Sequence, residues 1–117
     1  MEQMEVAREL GATGSTTILR LNGPLTLSTL FVLQQKLREI GNVDTVIDVT
    51  EVPYIDSAGL GSLISAYVTR ERQARKMVLA GVNDRVKMMM TVSGVDQLFP
   101  SYASVAEAEK TLAASAK

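Results

Sequence analysis

The run DTVIDVTEVPYIDSAGLGSLISAYV, residues 44–68, decides the fold. Residues 44–50 are rich in β-branched side chains and read as a buried strand, of the kind covered on both faces in a parallel sheet. From Leu60 the period changes. Leu60, Leu63, Ile64, Tyr67 and Val68 fall at i, i+3, i+4, i+7 and i+8, the pattern of an amphipathic helix. Between strand and helix stand Asp56 and Ser57, and the helix entry carries two glycines, Gly59 and Gly61. Each glycine is worse in a helix than alanine by about 0.8–1 kcal/mol. A chain that weakens a helix start directly behind an Asp-Ser pair needs a reason for doing so.

Working outward, the same two periods recur. MEVARE (4–9) and TTILRL (16–21) read as two strands joined by the turn residues GATGS (11–15), hence a hairpin. Leu30, Leu33, Leu37 and Ile40 lie on one face of a helix that closes at Gly41, with Ser28 or Thr29 as the cap. MVLAG (77–81) is a short buried strand. A helix through VKMMMTV starts at Asn83 or Asp84 and stops at Gly94. QLF (97–99) is the candidate last strand. Ser104 and Glu107 form a capping box ahead of a final helix with Val105, Ala108 and Leu112 inward. The order β-β-α-β-α-β-α-β-α predicts an α/β fold: a single-domain mixed sheet of about five strands, an N-terminal hairpin followed by parallel β-α units, covered by about four helices. Strand-helix-strand units impose the parallel pairing, and one domain is expected over residues 1–117.

Composition narrows the function. The chain has 117 residues with 12 basic and 13 acidic side chains, so it lacks the basic surplus of a nucleic-acid binder. It contains no cysteine and no histidine. Thiol chemistry, zinc-cysteine sites and a Ser-His-Asp hydrolase are excluded with them. There is no G-x-x-x-x-G-K-[ST] loop and no G-x-G-x-x-G fingerprint. The expectation is a binding protein rather than an enzyme, with no cofactor and no metal. MEQMEVARELGA at the start carries acids and lacks an apolar segment, unlike a signal peptide. The longest uncharged runs, LNGPLTLSTLFVLQQ and SAGLGSLISAYVT, fall short of the ~20 residues of a spanning helix. A soluble cytoplasmic protein without membrane insertion is expected.

Asp56-Ser57 sits at the carboxyl edge of the sheet, where ligand and partner sites of open α/β folds gather. Either residue can serve as an N-cap. The glycines admit two readings: close packing of the helix start on its own sheet, or a bare turn that lets a large partner reach the Ser57 hydroxyl. A phosphate on Ser57 would add about −1.5 to −2 charges beside a helix N-terminus, which favours anions by roughly 0.3–1 kcal/mol. The fold would tolerate it, whereas a partner needing a neutral surface would not.

These residues also carry a resemblance. IDVTEVPYIDSAGLGSLISAY looks like the signature of the STAS domain of anti-sigma factor antagonists, in which a strand ending in D-(L/V)-(S/T) runs into D-S-(S/T/A)-G-L-G at a helix N-terminus. VLAGVNDRVKMMMTVSGVDQLF and SVAEAEKTL resemble the later segments of the same family, so the likeness spans essentially the whole chain. The resemblance implies partner switching. Ser57 would be phosphorylated by an anti-sigma factor with serine kinase activity, the ATP belonging to that partner. The unphosphorylated form would bind the anti-sigma factor, and a serine phosphatase would restore it. Thr26, Asp56, Ala58, Gly59, Gly61, Ser62 and Met88 would form the docking face. One position departs from the family: in GPLT (23–26), Thr26 stands where the family carries an Asp, and a threonine hydrogen-bonds but brings no charge. The alternative within the family is a non-phosphorylated subunit of a membrane transport complex, such as ABC-type lipid transport.

Four further features remain. Of three adjacent methionines, Met89 and Met90 fit the inward stripe with Val86, which turns Met88 outward as a partner contact or a gap-filler. Arg70, Arg72, Arg75 and Lys76 read as a solvated helix end. Asp48, in a buried strand, needs donors or water and is taken as structural. Tyr54 and Ile55 are either core or an apolar rim beside Ser57.

Overall fold

The computed structural model describes residues 2–12 and 14–115. Thr13 of the expected hairpin turn, and both ends of the expected 1–117 span, lie outside the described residues. The elements are β1 (Glu5–Leu10), β2 (Thr16–Asn22), α1 (Leu30–Ile40), β3 (Asp44–Glu51), α2 (Ser57–Arg72), β4 (Met77–Ala80), α3 (Asp84–Val92), β5 (Ser101–Tyr102) and α4 (Val105–Ser115). The strands lie in the order β1-β2-β3-β4-β5. β1 pairs antiparallel with β2, and every later neighbour is parallel. This is the hairpin plus β-α progression that the sequence predicts.

Alternation along the strands sorts the core into two layers. Leu19, Leu21, Ile47, Val49, Met77 and Leu79 face the side covered by α1, α2 and α3, where they meet Leu33, Leu63, Val86 and Met90. Ile18, Val46, Val78 and Ala80 face the other side, against Ala108 and Leu112 of α4. Burying each large apolar side chain contributes about 1.5–3 kcal/mol. On the α4 side Asp48 finds its donors. Arg20 Nη1 donates to it at 2.6 Å, and Thr50 donates from its backbone N at 3.0 Å and from Oγ1 at 2.6 Å.

Two expectations are corrected. Residues 97–99 form no strand: Phe99 is buried in the core and packs edge-on to Tyr67, ring centroids 5.3 Å apart. The pairing segment lies just beyond. Leu79 N donates to the Pro100 carbonyl, and Gly81 N donates to that of Tyr102. Proline has no N–H to give to a ladder, so β5 begins after it and stays short. Arg70 does not belong to a solvated helix end. It is 4% exposed, whereas Arg72, Arg75 and Lys76 are exposed. The methionines follow the helical period, with Val86 and Met90 buried, Met89 half-buried and Met88 67% exposed.

The caps resolve to single residues. Asn83 opens α3 by accepting from Val86 N at 2.8 Å. Ser104 accepts from Glu107 N at 3.2 Å ahead of α4, while the Glu107 carboxylate accepts from Ala103 N at 3.3 Å. Thr29 occupies the N-cap of α1 without a side-chain cap bond. Its hydroxyl instead donates to the Pro24 carbonyl at 2.7 Å and accepts from Thr26 N at 2.9 Å. Thr29 therefore braces the loop between β2 and α1, and that loop frames the candidate site.

Candidate functional site

The β2–α1 and β3–α2 loops run side by side beyond the ends of their strands. Leu25 N donates to the Tyr54 carbonyl at 3.1 Å, and Asp56 N donates to the Leu25 carbonyl at 3.2 Å, a parallel bridge between Leu25 and Ile55. Both bridged side chains are buried, which answers the question over Ile55 in favour of the core.

Asp56 is the N-cap of α2. Its Oδ1 accepts from Gly59 N at 2.8 Å, and Oδ2 accepts from Leu27 N at 3.1 Å. One carboxylate thus caps the helix and ties it to the neighbouring loop. Ser57 follows as the first helical residue and is exposed. The first amides of a helix have no partner within it and carry a partial positive charge, so an anion on Ser57 would meet a favourable field. Replacing Asp56 with Ala removes both bonds and is expected to destabilise the fold by about 1–2 kcal/mol, read as a lowered thermal midpoint.

The two glycines have different causes. A Cβ on Gly59 would sit 2.1 Å from the Leu25 carbonyl oxygen. Gly59 is buried, and only a residue without a side chain lets the first turn of α2 lie on that backbone. Gly61 is exposed, and a Cβ there would meet nothing within 4 Å. The reading of close packing holds for Gly59, and the fold supplies no reason for Gly61.

The remaining expected site residues divide by exposure. Ala58 is half-buried. Ser62 is buried and turned inward, its Oγ donating to the Gly59 carbonyl at 2.6 Å. Thr26 is also buried. Thr26, Gly59 and Ser62 therefore shape the region from beneath, because hydrogen bonds and backbone contacts hold them there. Ser57, Gly61 and Met88 are exposed, and Asp56 is partly so.

The charge that Thr26 lacks is supplied by Glu2. Its Oε1 accepts from Thr26 Oγ1 at 2.7 Å and from Ser28 Oγ at 3.0 Å, and its Oε2 accepts from the Tyr54 hydroxyl. Glu2, Thr26, Leu27, Ser28, Tyr54 and Asp56 line one open hollow, so two carboxylates face it. Tyr54 carries Arg85 above its ring, 5.7 Å from the centroid, which brings the start of α3 to the same rim. Met88 lies three residues on from Arg85, the next position on that helix face. Leu27 and Phe31 add exposed apolar surface, 64% and 65% exposed. Sequence reasoning missed Glu2, Leu27 and Phe31. Phe31 carries a legible signal, an aromatic off the inward stripe of α1. Glu2 carries none, since its partners are 24 to 52 residues away.

The STAS domain profile matches residues 7–108. The chain belongs to the STAS domain family. Its relatives include an anti-sigma-B factor antagonist of Listeria monocytogenes, 35% identical over 52 residues, or 44% of this chain and 46% of that one. This STAS chain therefore matches about half the length of that relative. An anti-sigma-B factor antagonist of Staphylococcus aureus is 25% identical over 83 residues, covering 68% of this chain and 77% of the relative. The STAS fold is matched by the crystal structure of an anti-sigma factor antagonist from Mycobacterium paratuberculosis, with a TM-score of 0.82 at 18% identity over 92% of each chain. Among the described residues of this STAS protein, no helix is long and apolar enough to cross a membrane.

Proposed function

We propose that this STAS protein is an anti-sigma factor antagonist that works by partner switching, with Ser57 as the switch residue. In the unphosphorylated state the rim around α2's first turn docks an anti-sigma factor. That partner, a serine kinase, transfers the γ-phosphoryl group of its ATP to Ser57 Oγ; the hydroxyl proton is lost and ADP leaves. The phosphoserine then repels the partner, and a serine phosphatase returns the chain to its binding form.

The observation that carries this reading is Gly61. It sits in the first turns of a helix, exposed, with open space where a Cβ would be. A glycine there costs the helix about 0.8–1 kcal/mol, and among the described residues no contact offsets it. A flat approach surface for a second protein, one turn from an exposed serine hydroxyl, supplies the missing reason. Leu27, which lines the hollow beside Asp56, and Phe31 and Met88 on α1 and α3 are exposed and offer the apolar contacts an interface needs. The Listeria and Staphylococcus relatives described above both bear the antagonist name, so the transport-subunit reading is not carried forward.

The test is incubation with ATP and the serine-kinase anti-sigma factor of the same genome, followed by mass spectrometry. One phosphate on Ser57, absent in Ser57→Ala, is expected; phosphate only elsewhere, or none, removes the switch. Gly61→Arg provides a separate measure of docking. It is expected to abolish the complex in a pull-down without lowering the thermal midpoint, which helix propensity should raise by a few degrees. Undiminished binding by that variant would move the docking face elsewhere.

A further inference from the structure

Burying a guanidinium is expensive, and proteins usually meet the cost with a carboxylate. Arg70 is 4% exposed, and its two hydrogen-bond acceptors are both neutral. Nε donates to Thr45 Oγ1 at 3.2 Å, and Nη2 donates to the Gly41 carbonyl at 3.2 Å. The ion pairs among the described residues are Arg20 with Glu9 and Asp48, and Lys36 with Glu39; Arg70 is in none of them. Burial pushes its pKa down, but an arginine remains charged at any physiological pH. The Gly41 carbonyl belongs to the C-terminus of α1, whose dipole amounts to about half a negative charge. That compensates Arg70 only in part.

The uncompensated charge borders a hollow. Between α1 and α2 lies an open groove of about 460 Å³, with Gln34, Arg38, Asn42, Thr69, Arg70 and Gln73 among its lining residues. Every titratable side chain in its lining is an arginine, and the rest of its polar lining consists of amides and hydroxyls. Two arginines among the lining residues, with no carboxylate among them, leave the groove net positive. Amides and hydroxyls supply neutral donors around them. The groove follows the later turns of α2, away from Ser57.

We propose that this α1–α2 groove is a binding site for a small free oxyanion, of the phosphate or carboxylate class, held between Arg38 and Arg70. The bound anion completes the charge balance that the fold leaves open at Arg70. It also bridges α1 to α2, so its occupancy stiffens the helix that carries the Ser57 turn. The site stands on its own geometry and does not depend on Ser57 being phosphorylated.

The experiment is a two-dimensional ¹⁵N–¹H NMR titration of the full chain with inorganic phosphate, against sodium chloride at matched ionic strength. Saturable shifts at the Asn42, Thr69 and Gln73 amides are expected with phosphate and not with chloride. Arg38→Gln, a change at an exposed side chain, is expected to weaken binding about tenfold, the loss of one charge-assisted hydrogen bond. Arg70→Lys keeps the charge but loses the planar fork, and is expected to weaken it likewise. If Arg70→Lys fails to fold, Arg38→Gln decides alone. Shifts that do not saturate, that chloride reproduces, or that Arg38→Gln leaves unchanged overturn the site. Arg70 is then only a brace joining the end of α1 to β3.

Discussion

Ser57→Asp is expected to weaken binding to the anti-sigma partner by at least about a hundredfold, with the thermal midpoint moved by no more than about 2 °C. The two halves of this result have separate causes. A charge left unpaired in a formed interface costs about 2–5 kcal/mol, and a hundredfold corresponds to roughly 2.7 kcal/mol. Within the isolated chain Ser57 is exposed and opens α2. The helix field favours the new carboxylate by about 0.3–1 kcal/mol, and repulsion from neighbouring Asp56 opposes it, so the net change is small. Isothermal titration calorimetry measures the first half and differential scanning calorimetry the second. Binding within threefold of the wild type would deny Ser57 its place in the interface. A lowered midpoint with lost binding would make it a structural residue.

The second large effect falls on stability. Gly59→Ala places a Cβ 2.1 Å from the Leu25 carbonyl oxygen and 2.7 Å from its carbon. Neither atom belongs to a flexible side chain that can swing away. Leu25 is fully buried, and its backbone is paired to the β3–α2 loop on both sides. Relief therefore requires α2 or the loop to shift, at a cost of about 3 kcal/mol, the upper part of the overpacking range. For a domain of this size that lowers the thermal midpoint by roughly 10 °C. Gly61→Ala is the control. With no neighbour to strike, it is expected to raise stability by about 0.5–1 kcal/mol through helix propensity. Equal behaviour of the two variants in thermal melts would contradict this division of roles.

Much of this molecule is legible in one dimension. The strand at 44–50 and the helix carrying Leu60, Leu63, Ile64, Tyr67 and Val68 announce themselves by period, because each buries one face and local geometry sets which residues share it. Asp56 is readable as a cap because capping is a contact three residues long. QLF (97–99) reads as a strand for the same reason: a short apolar run looks alike whether it pairs or packs in a turn. Only the backbone along and just past β4 distinguishes the two, Leu79 N and Gly81 N donating to the Pro100 and Tyr102 carbonyls.

By itself the sequence determined the element order, the hairpin, the parallel succession of strands and the Asp56-Ser57 helix entry. The elements and the helix entry follow from interactions within a few residues, and the parallel succession follows from their order through the strand-helix-strand connection. Only the tertiary structure decided that Gly59 serves Leu25 while Gly61 leaves open space among the described residues. It alone turned Arg70 from a surface cation into a buried one. It alone brought the Glu2 carboxylate to Thr26, Ser28 and Tyr54. Those contacts join residues 24 to 52 positions apart, a span over which no local period operates.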